Sequence, residues 1–369
     1  MKFSIFMISM GRGRTSDRQA LEDALADARM ADHLGFDAFW FAEHHFNGDF
    51  CMSPSPNLML ASAARVTERI RLGVAVNVLP MHHPVRVAEE GAMLDQLTNG
   101  RFMWGIGRGI VGREFAPFGI EPASSRARFN EVHDAVIHAW TTGRLEHHGE
   151  FYDFAGATLY PSIVQKPHPP VWVAAQSPES VAWCARHDYV AMQVAEPLSR
   201  GYLHVERYRN AAAEAQVATK HGGIVPLRYC FVAESDAEAR EKCAPYLREF
   251  WSHFVKIAAP GGEIPDKRGY EYWYDEGDVS NYATDDYDRL NSDGIIICGS
   301  PDTVIKGIKR QAEMLQTDQI MLDFWRGSLD RGERAKSMEL FGKEVISAFR
   351  GAASAAAKDG RDLSWPARS

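Results

Sequence analysis

The chain has 369 residues, 45% of them hydrophobic and 24% charged, the balance of an ordinary globular protein. A net charge of −8 gives no basic footprint for nucleic acid or an anionic membrane surface, so a small molecule or another protein is the expected partner. No apolar run approaches the ~20 residues that span a bilayer, and the opening MKFSIF lacks the basic start and cleavage site of a signal peptide.

Residues 2–9 read as a strand. Ser16 and Gln19 then form a capping-box pattern. The helix that follows places Leu21, Ala24, Leu25, Ala28 and Ala31 on one face and is predicted to stop at Gly35. The aromatic run 36–42 (FDAFWFA) is a second strand and 72–78 a third, with a helix over about 85–97. Residues 102–106 form a fourth strand; after an irregular stretch, Phe129, Val132, Val136 and Trp140 recur at helical spacing. Residues 171–175 are a fifth strand, followed by a helix opening at Ser177-Pro178. A sixth strand covers 189–194, with a polar helix over about 201–218, and a seventh covers 225–233, with a helix over 236–255. Beyond a long polar stretch the helical pattern resumes at Ser300-Pro301, 319–325 supplies the eighth strand, and a last helix covers about 331–349.

Eight strands alternating with helices predict a closed (β/α)8 TIM barrel, one domain over 1–350, rather than an open sheet. Insertions are expected after strand four (142–170) and after strand seven (257–299). The second has the length of an active-site lid or a disordered segment. The Ala-, Ser- and Gly-rich tail 351–369 is expected to be poorly ordered. Five scattered cysteines, none spaced as CxxC, point to reduced thiols in the cytoplasm.

Active sites of such barrels lie where the strands end. Strand two runs into Glu43-His44-His45, and alternation sends adjacent side chains to opposite sides, so one histidine enters the mouth and the other packs outward. A pair of packed structural histidines is the plainer alternative. Zinc is disfavoured: there is no HExxH, and the doublets His82-His83 and His147-His148 show no ligand spacing.

After strand four, residues 107–112 match GxGxxG, but a dinucleotide fingerprint opens a helix at once, and here Pro117, Gly119 and Pro122 follow. The glycines instead let backbone approach a flat ligand, with Arg108 supplying charge; a flexible loop is the alternative. After strand five, Ser177 sits as N-cap and Pro178 as first helical residue, a ready anion site, although capping alone accounts for the serine. Together with Arg108 and Arg126, this start suggests a phosphate-bearing ligand at the mouths of strands four and five.

The stretches MKFSIF, LGFDAFWFAEHHF, LGVAVNVLPMHHPVR, LDQLTNGRFMWGIGRG, SSRAR, PVWVAAQSPES and RGYEYW resemble the luciferase-like flavin-dependent monooxygenases, closest to the α subunit of bacterial luciferase, over residues 1 to about 350. The resemblance implies a TIM barrel that binds reduced FMN delivered by a separate flavin reductase. O2 then forms a flavin C4a-peroxide that oxygenates an apolar small molecule such as an aldehyde or ketone. It implies that His44 is the catalytic acid/base, a role suited to imidazole with its ordinary pKa of about 6.5. It puts phosphate contacts on Arg108, Arg126, Gln176, Ser177 and Ser180, and a non-proline cis peptide beneath the flavin at Ala75-Val76.

Gly107 stands where luciferases carry a cysteine close to the flavin, and Gln176 where they carry an acid. Oxygenation is therefore expected and light emission is not. The lid, 263–292, is implied to keep water from the intermediate. Its Tyr270, Tyr272, Trp273 and Tyr274 either cap an apolar substrate or pack the lid onto the barrel. Pairing through residues 57–66 and 85–97 is implied, as a homodimer or with a related subunit. An oxidoreductase using deazaflavin F420 and a catalytically silent flavin-binding subunit are the alternatives, and His44 argues against the second.

Overall fold

Runs of apolar β-formers, each followed by a helix with one apolar face, bury those runs in a parallel sheet covered by the helices, and in this chain the sheet closes into a ring. A computed structural model describes residues 1–8, 16–48, 50–194, 196–258, 270–274, 283–324 and 329–351. Its strands in chain order are β1 (Lys2–Met7), β2 (Ala38–Phe41), β3 (Arg71–Val74), β4 (Asn77–Val78), β5 (Phe102–Gly107), β6 (Arg144–His148), β7 (Asp153–Thr158), β8 (Val171–Ala174), β9 (Val190–Val194), β10 (Gly223–Val232), β11 (Ile296–Gly299) and β12 (Gln319–Asp323). The helices are α1 (Asp17–Leu34), α2 (Pro56–Ala63), α3 (Pro84–Leu97), α4 (Gly112–Phe115), α5 (Ser125–Thr142), α6 (Pro178–Arg186), α7 (Leu198–Glu214), α8 (Asp236–Ala258), α9 (Tyr287–Ser292), α10 (Pro301–Leu315) and α11 (Arg331–Leu340).

Strands β1, β2, β3, β5, β8, β9, β10 and β12 form a closed parallel barrel, and the ring shuts where β12 pairs with β1, Met321 beside Ser4. These are the eight predicted strands. The insertion after strand four contains the antiparallel hairpin β6–β7. The second insertion, predicted to run structureless to 299, is shorter: α9 and β11 occupy its end, and β11 lengthens the sheet by pairing with the far half of β10. Residues 259–269 and 275–282 of the lid, residue 325 of the predicted eighth strand, and 352–369 of the tail lie outside the described residues.

Local signals explain the element ends. Ser16 Oγ accepts the Gln19 N–H at 3.2 Å to start α1, while the Gln19 side chain turns to Asp23 at 2.9 Å, so the capping box is one-sided. Gly35 ends the helix at φ 88°, a left-handed conformation that glycine adopts without a Cβ penalty.

Inside the barrel, Trp40 and Trp172 meet at 4.7 Å between ring centroids, packed with Met103, Met192 and Met321. Outside it, Phe3 and Phe36 pack against Phe341, the first residue of the π-helical segment that continues α11. Burying each such side chain contributes about 1.5–3 kcal/mol, so the floor beneath the barrel mouth is a filled, stiff platform.

Candidate active site at the barrel mouth

A cavity opens at the C-terminal ends of the strands, with residues from β1, β2, β3, β5, β8, β9, β10 and β12 or the loops just after them in its wall. It brings together His44, Ala75, Val76, Gly107, Arg108, Arg126, Gln176, Ser177 and Ser180. Most of the remaining wall is apolar, including Phe6, Phe50, Leu227 and Met321. Ala174, the last residue of β8, is exposed because it faces this space rather than a helix.

The two histidines after β2 diverge. His44 enters the cavity wall, its Nδ1 3.2 Å from Glu114 Oε1 and its ring edge-on to Phe50 at 4.9 Å. His45 is buried, is not part of the cavity wall, and bonds Glu43, two residues away, at 3.3 Å. Sequence reasoning assigned no role to Glu43, whose carboxylate collects His82 Nε2 at 2.8 Å, His45 Nε2 at 3.3 Å and the Asn77 amide at 3.2 Å. Burial alone would raise its pKa; the His82 charge and the hydrogen bonds from His45, His82 and Asn77 overcome that and hold it at about 2. In return, and against its own burial, His82 is raised by Glu43. These groups bond one another instead of facing a common centre. Among the described residues no cluster of His, Cys, Asp or Glu could hold a metal ion.

Glu114 also escaped the sequence reading. It sits on α4, the single helical turn formed where the GxGxxG glycines lead into the proline-containing stretch, and its Oε1 additionally accepts the His45 backbone N–H at 2.9 Å. No long helix opens at those glycines, as the break in pattern predicted.

At the opposite end, Ser177 caps α6, its Oγ accepting the Ser180 N–H at 3.2 Å and donating to Ser180 Oγ at 2.9 Å. Arg126 enters from α5 and donates to Ser180 Oγ at 3.3 Å and Glu179 at 3.1 Å. Gln176 is tied across to β9: its amide donates to the Val194 carbonyl at 3.0 Å and accepts the Val194 N–H at 3.1 Å. Arg108 lies over the Tyr270 ring at 4.4 Å, and burial lowers its pKa.

Between the two ends runs a floor of bare backbone. The Ala75-Val76 peptide is cis. A Cβ added at Gly107 would come within 2.6 Å of Val76 Cγ2, so glycine lets β5 lie this close to the Val76 side chain.

The lid segment 270–274 rests on the barrel. Tyr270 Oη pairs with Ser125 Oγ at 2.9 Å and donates to the Gly109 carbonyl at 3.1 Å. Tyr272 Oη donates to Glu196 at 3.1 Å and accepts from Arg200 at 2.9 Å. Both hydroxyls thus anchor the segment, the packing alternative of the two roles expected for these tyrosines. The side chains of Trp273 and Tyr274 lie outside the described residues.

A (β/α)8 barrel with this mouth is the frame of an enzyme whose ligand lies across the strand ends. Residues 1–318 match the luciferase-like monooxygenase family, and the chain belongs to it. The chain is 33% identical over 261 residues to the oxygenase component of the flavin-dependent trigonelline monooxygenase of Acinetobacter baylyi, covering 69% of this chain and 71% of that one. It is 26% identical over 360 residues to an alkanal monooxygenase alpha chain of Photorhabdus luminescens, covering 94% and 96%. The crystal structure of monooxygenase RslO1 from Streptomyces bottropensis superposes with a TM-score of 0.79 at 29% identity, covering 95% of this chain and all (100%) of that one. No helix among the described residues is long and apolar enough to cross a membrane.

Proposed function

We propose that this protein is the oxygenase component of a two-component system: it takes reduced FMN from a separate flavin reductase and uses O2 to oxygenate an apolar small molecule, an aldehyde, ketone or similar compound. The observation that carries the reading is the division of one cavity into two unlike ends. Arg126 and the hydroxyls at the start of α6 form a donor set suited to a phosphate, and His44 stands at the other end beside the apolar wall.

The residues present suit FMN. Arg108, Arg126, Gln176, Ser177 and Ser180 would hold its phosphate, and the bare backbone of Ala75, Val76 and Gly107 would lie against its ring. Bound in its reduced form, the flavin supplies the two electrons with which O2 delivers one oxygen atom to the substrate and the other to water. His44 faces Glu114 through Nδ1, which leaves Nε2 to accept or donate a proton at the reacting centre. Phe6, Phe50, Leu227 and Met321 exclude water from that centre and favour an apolar substrate. The named relatives act on different compounds, trigonelline and alkanals, so the wall of this cavity is the better guide.

The same reading makes the protein a dimer, with itself or a related subunit, through the faces of α2 and α3 that leave Leu58, Met93 and Leu97 exposed. Five buried cysteines, none of them in a disulfide, accord with a cytoplasmic enzyme.

Anaerobic titration with reduced FMN, followed by 18O2 in the presence of candidate aldehydes and ketones, tests the reading. Binding and a product carrying one labelled oxygen are expected. A protein that binds neither redox form of FMN, or binds only deazaflavin F420, would overturn it.

A further inference from the structure

We propose that Glu114 is the positioning residue for His44: it fixes the imidazole as its Nδ1–H tautomer and turns Nε2 to the cavity as the proton acceptor. The inference rests on the reading of His44 as the proton-transferring group. Glu114 is 2% exposed, and a single oxygen, Oε1, faces His44 Nδ1 at 3.2 Å and accepts the His45 backbone N–H at 2.9 Å. A carboxylate carries only acceptors, so a bare Nδ1 would set lone pair against lone pair across a contact of 3.2 Å to a buried oxygen. The proton therefore resides on Nδ1. When Nε2 takes a second proton, the carboxylate stabilises the resulting imidazolium, as the acid of a catalytic triad does for its histidine.

The neighbourhood reserves this task for Glu114. Glu43, adjacent in sequence, is fully engaged by His45, His82 and Asn77. Among the described residues the ring stacked edge-to-face with His44 is Phe50, which carries no charge. The His45 N–H bond also ties α4 to the chain after β2, so the carboxylate is held by backbone on both sides of the contact.

Two variants separate positioning from mere packing. Glu114→Met keeps the length and removes the acceptor. Glu114→Gln keeps an acceptor oxygen and removes the charge. The readouts are the His44 tautomer by 15N NMR of the full-length protein without flavin, FMN affinity, and the oxygenation rate.

The wild type is expected to show Nδ1–H, Glu114→Gln to retain it, and Glu114→Met to show a mixture of tautomers. FMN affinity stays within about twofold in both, because the phosphate donors lie at the other end. The oxygenation rate falls about 10–100-fold in Glu114→Met, the usual cost of losing a group that orients a reacting histidine, and less in Glu114→Gln.

An Nε2–H tautomer in the wild type, or a Glu114→Met variant with unchanged tautomer and rate, overturns the proposal. Should Glu114→Met fail to fold, Glu114→Gln decides: an oxygenation rate equal to that of the wild type overturns it. If His44→Asn keeps full turnover, the reading of His44 falls, while the tautomer result for Glu114 still stands or fails independently.

Discussion

The two ends of the cavity hold their charges by opposite means. At the mouth of β2 each imidazole is clamped by a buried carboxylate, Glu114 on His44 and Glu43 on His45 and His82, with exposures of 2% for both acids. At the mouth of β8 the polar groups are half-buried side chains that bond one another: Ser177 to Ser180, Ser180 to Arg126, Arg126 to the exposed Glu179. A group that must move a proton at one atom gains from a rigid partner, because orientation and tautomer decide its reactivity. A group that docks an anion gains from several adaptable donors, since the charge can be shared among them. On the proposed function one barrel supplies both, because each strand end is an independent mounting point on a filled core.

The largest effect expected from breaking this division is on chemistry. His44→Ala should lower oxygenation by about 10²–10⁴-fold and leave FMN affinity unchanged. Parallel loss of both, in anaerobic titration and single-turnover measurements, would show that the ends are not independent. Arg126→Ala should do the reverse and weaken FMN by about 10–100-fold, since a hydrogen bond to a charged group contributes about 1.5–3 kcal/mol. Riboflavin, which lacks the phosphate, should bind the variant as well as the wild type; an equal loss for riboflavin would assign Arg126 to the ring instead.

The floor between the ends can be tested by overfilling it. Gly107→Ala puts a methyl 2.6 Å from Val76 Cγ2, and the stiff valine cannot step aside cheaply. Stability should fall by about 1–3 kcal/mol, read from denaturant melts. Val76→Ala on that background should recover most of the loss, because the two sites share one contact. A double variant no more stable than Gly107→Ala would place the clash elsewhere.

Much of this arrangement was readable in the residues themselves. Period-two alternation separated His44 from His45, Ser177-Pro178 marked the start of α6, and the prolines after the glycines argued against a dinucleotide fold. The partners of the histidines were not readable. Glu114 lies 70 residues from His44 and His82 lies 39 from Glu43, and nothing local reports a pairing that exists only once the barrel has closed. Strand β11 is a different kind of miss, because its signal was present: Ile295, Ile296, Ile297 and Cys298 form an apolar run between Gly294 and Gly299, hidden only by the polar stretch before it. The lid tyrosines carry no signal of their own. Whether an aromatic caps a substrate or ties down a loop depends on where its hydroxyl lands, here on Ser125, Gly109 and Glu196.

The smallest effect expected lies in the clamp on the far side of β2 and carries a definite sign. The carboxylate of Glu43, held at about pKa 2, is ionised at every working pH, and it raises His82 above its ordinary value of 6.5. A histidine whose folded-state pKa is raised binds its proton more tightly when folded. Its stabilisation is therefore complete below about pH 6.5 and is lost as pH climbs through the raised value. His82 is partly exposed, so the pair should contribute only about 1 kcal/mol. The gap in melting temperature between wild type and His82→Gln should accordingly be widest near pH 6 and shrink towards pH 9. A gap that widened with rising pH would mean that Glu43 is held by His45 and Asn77 alone, and that His82 bonds it as a neutral ring.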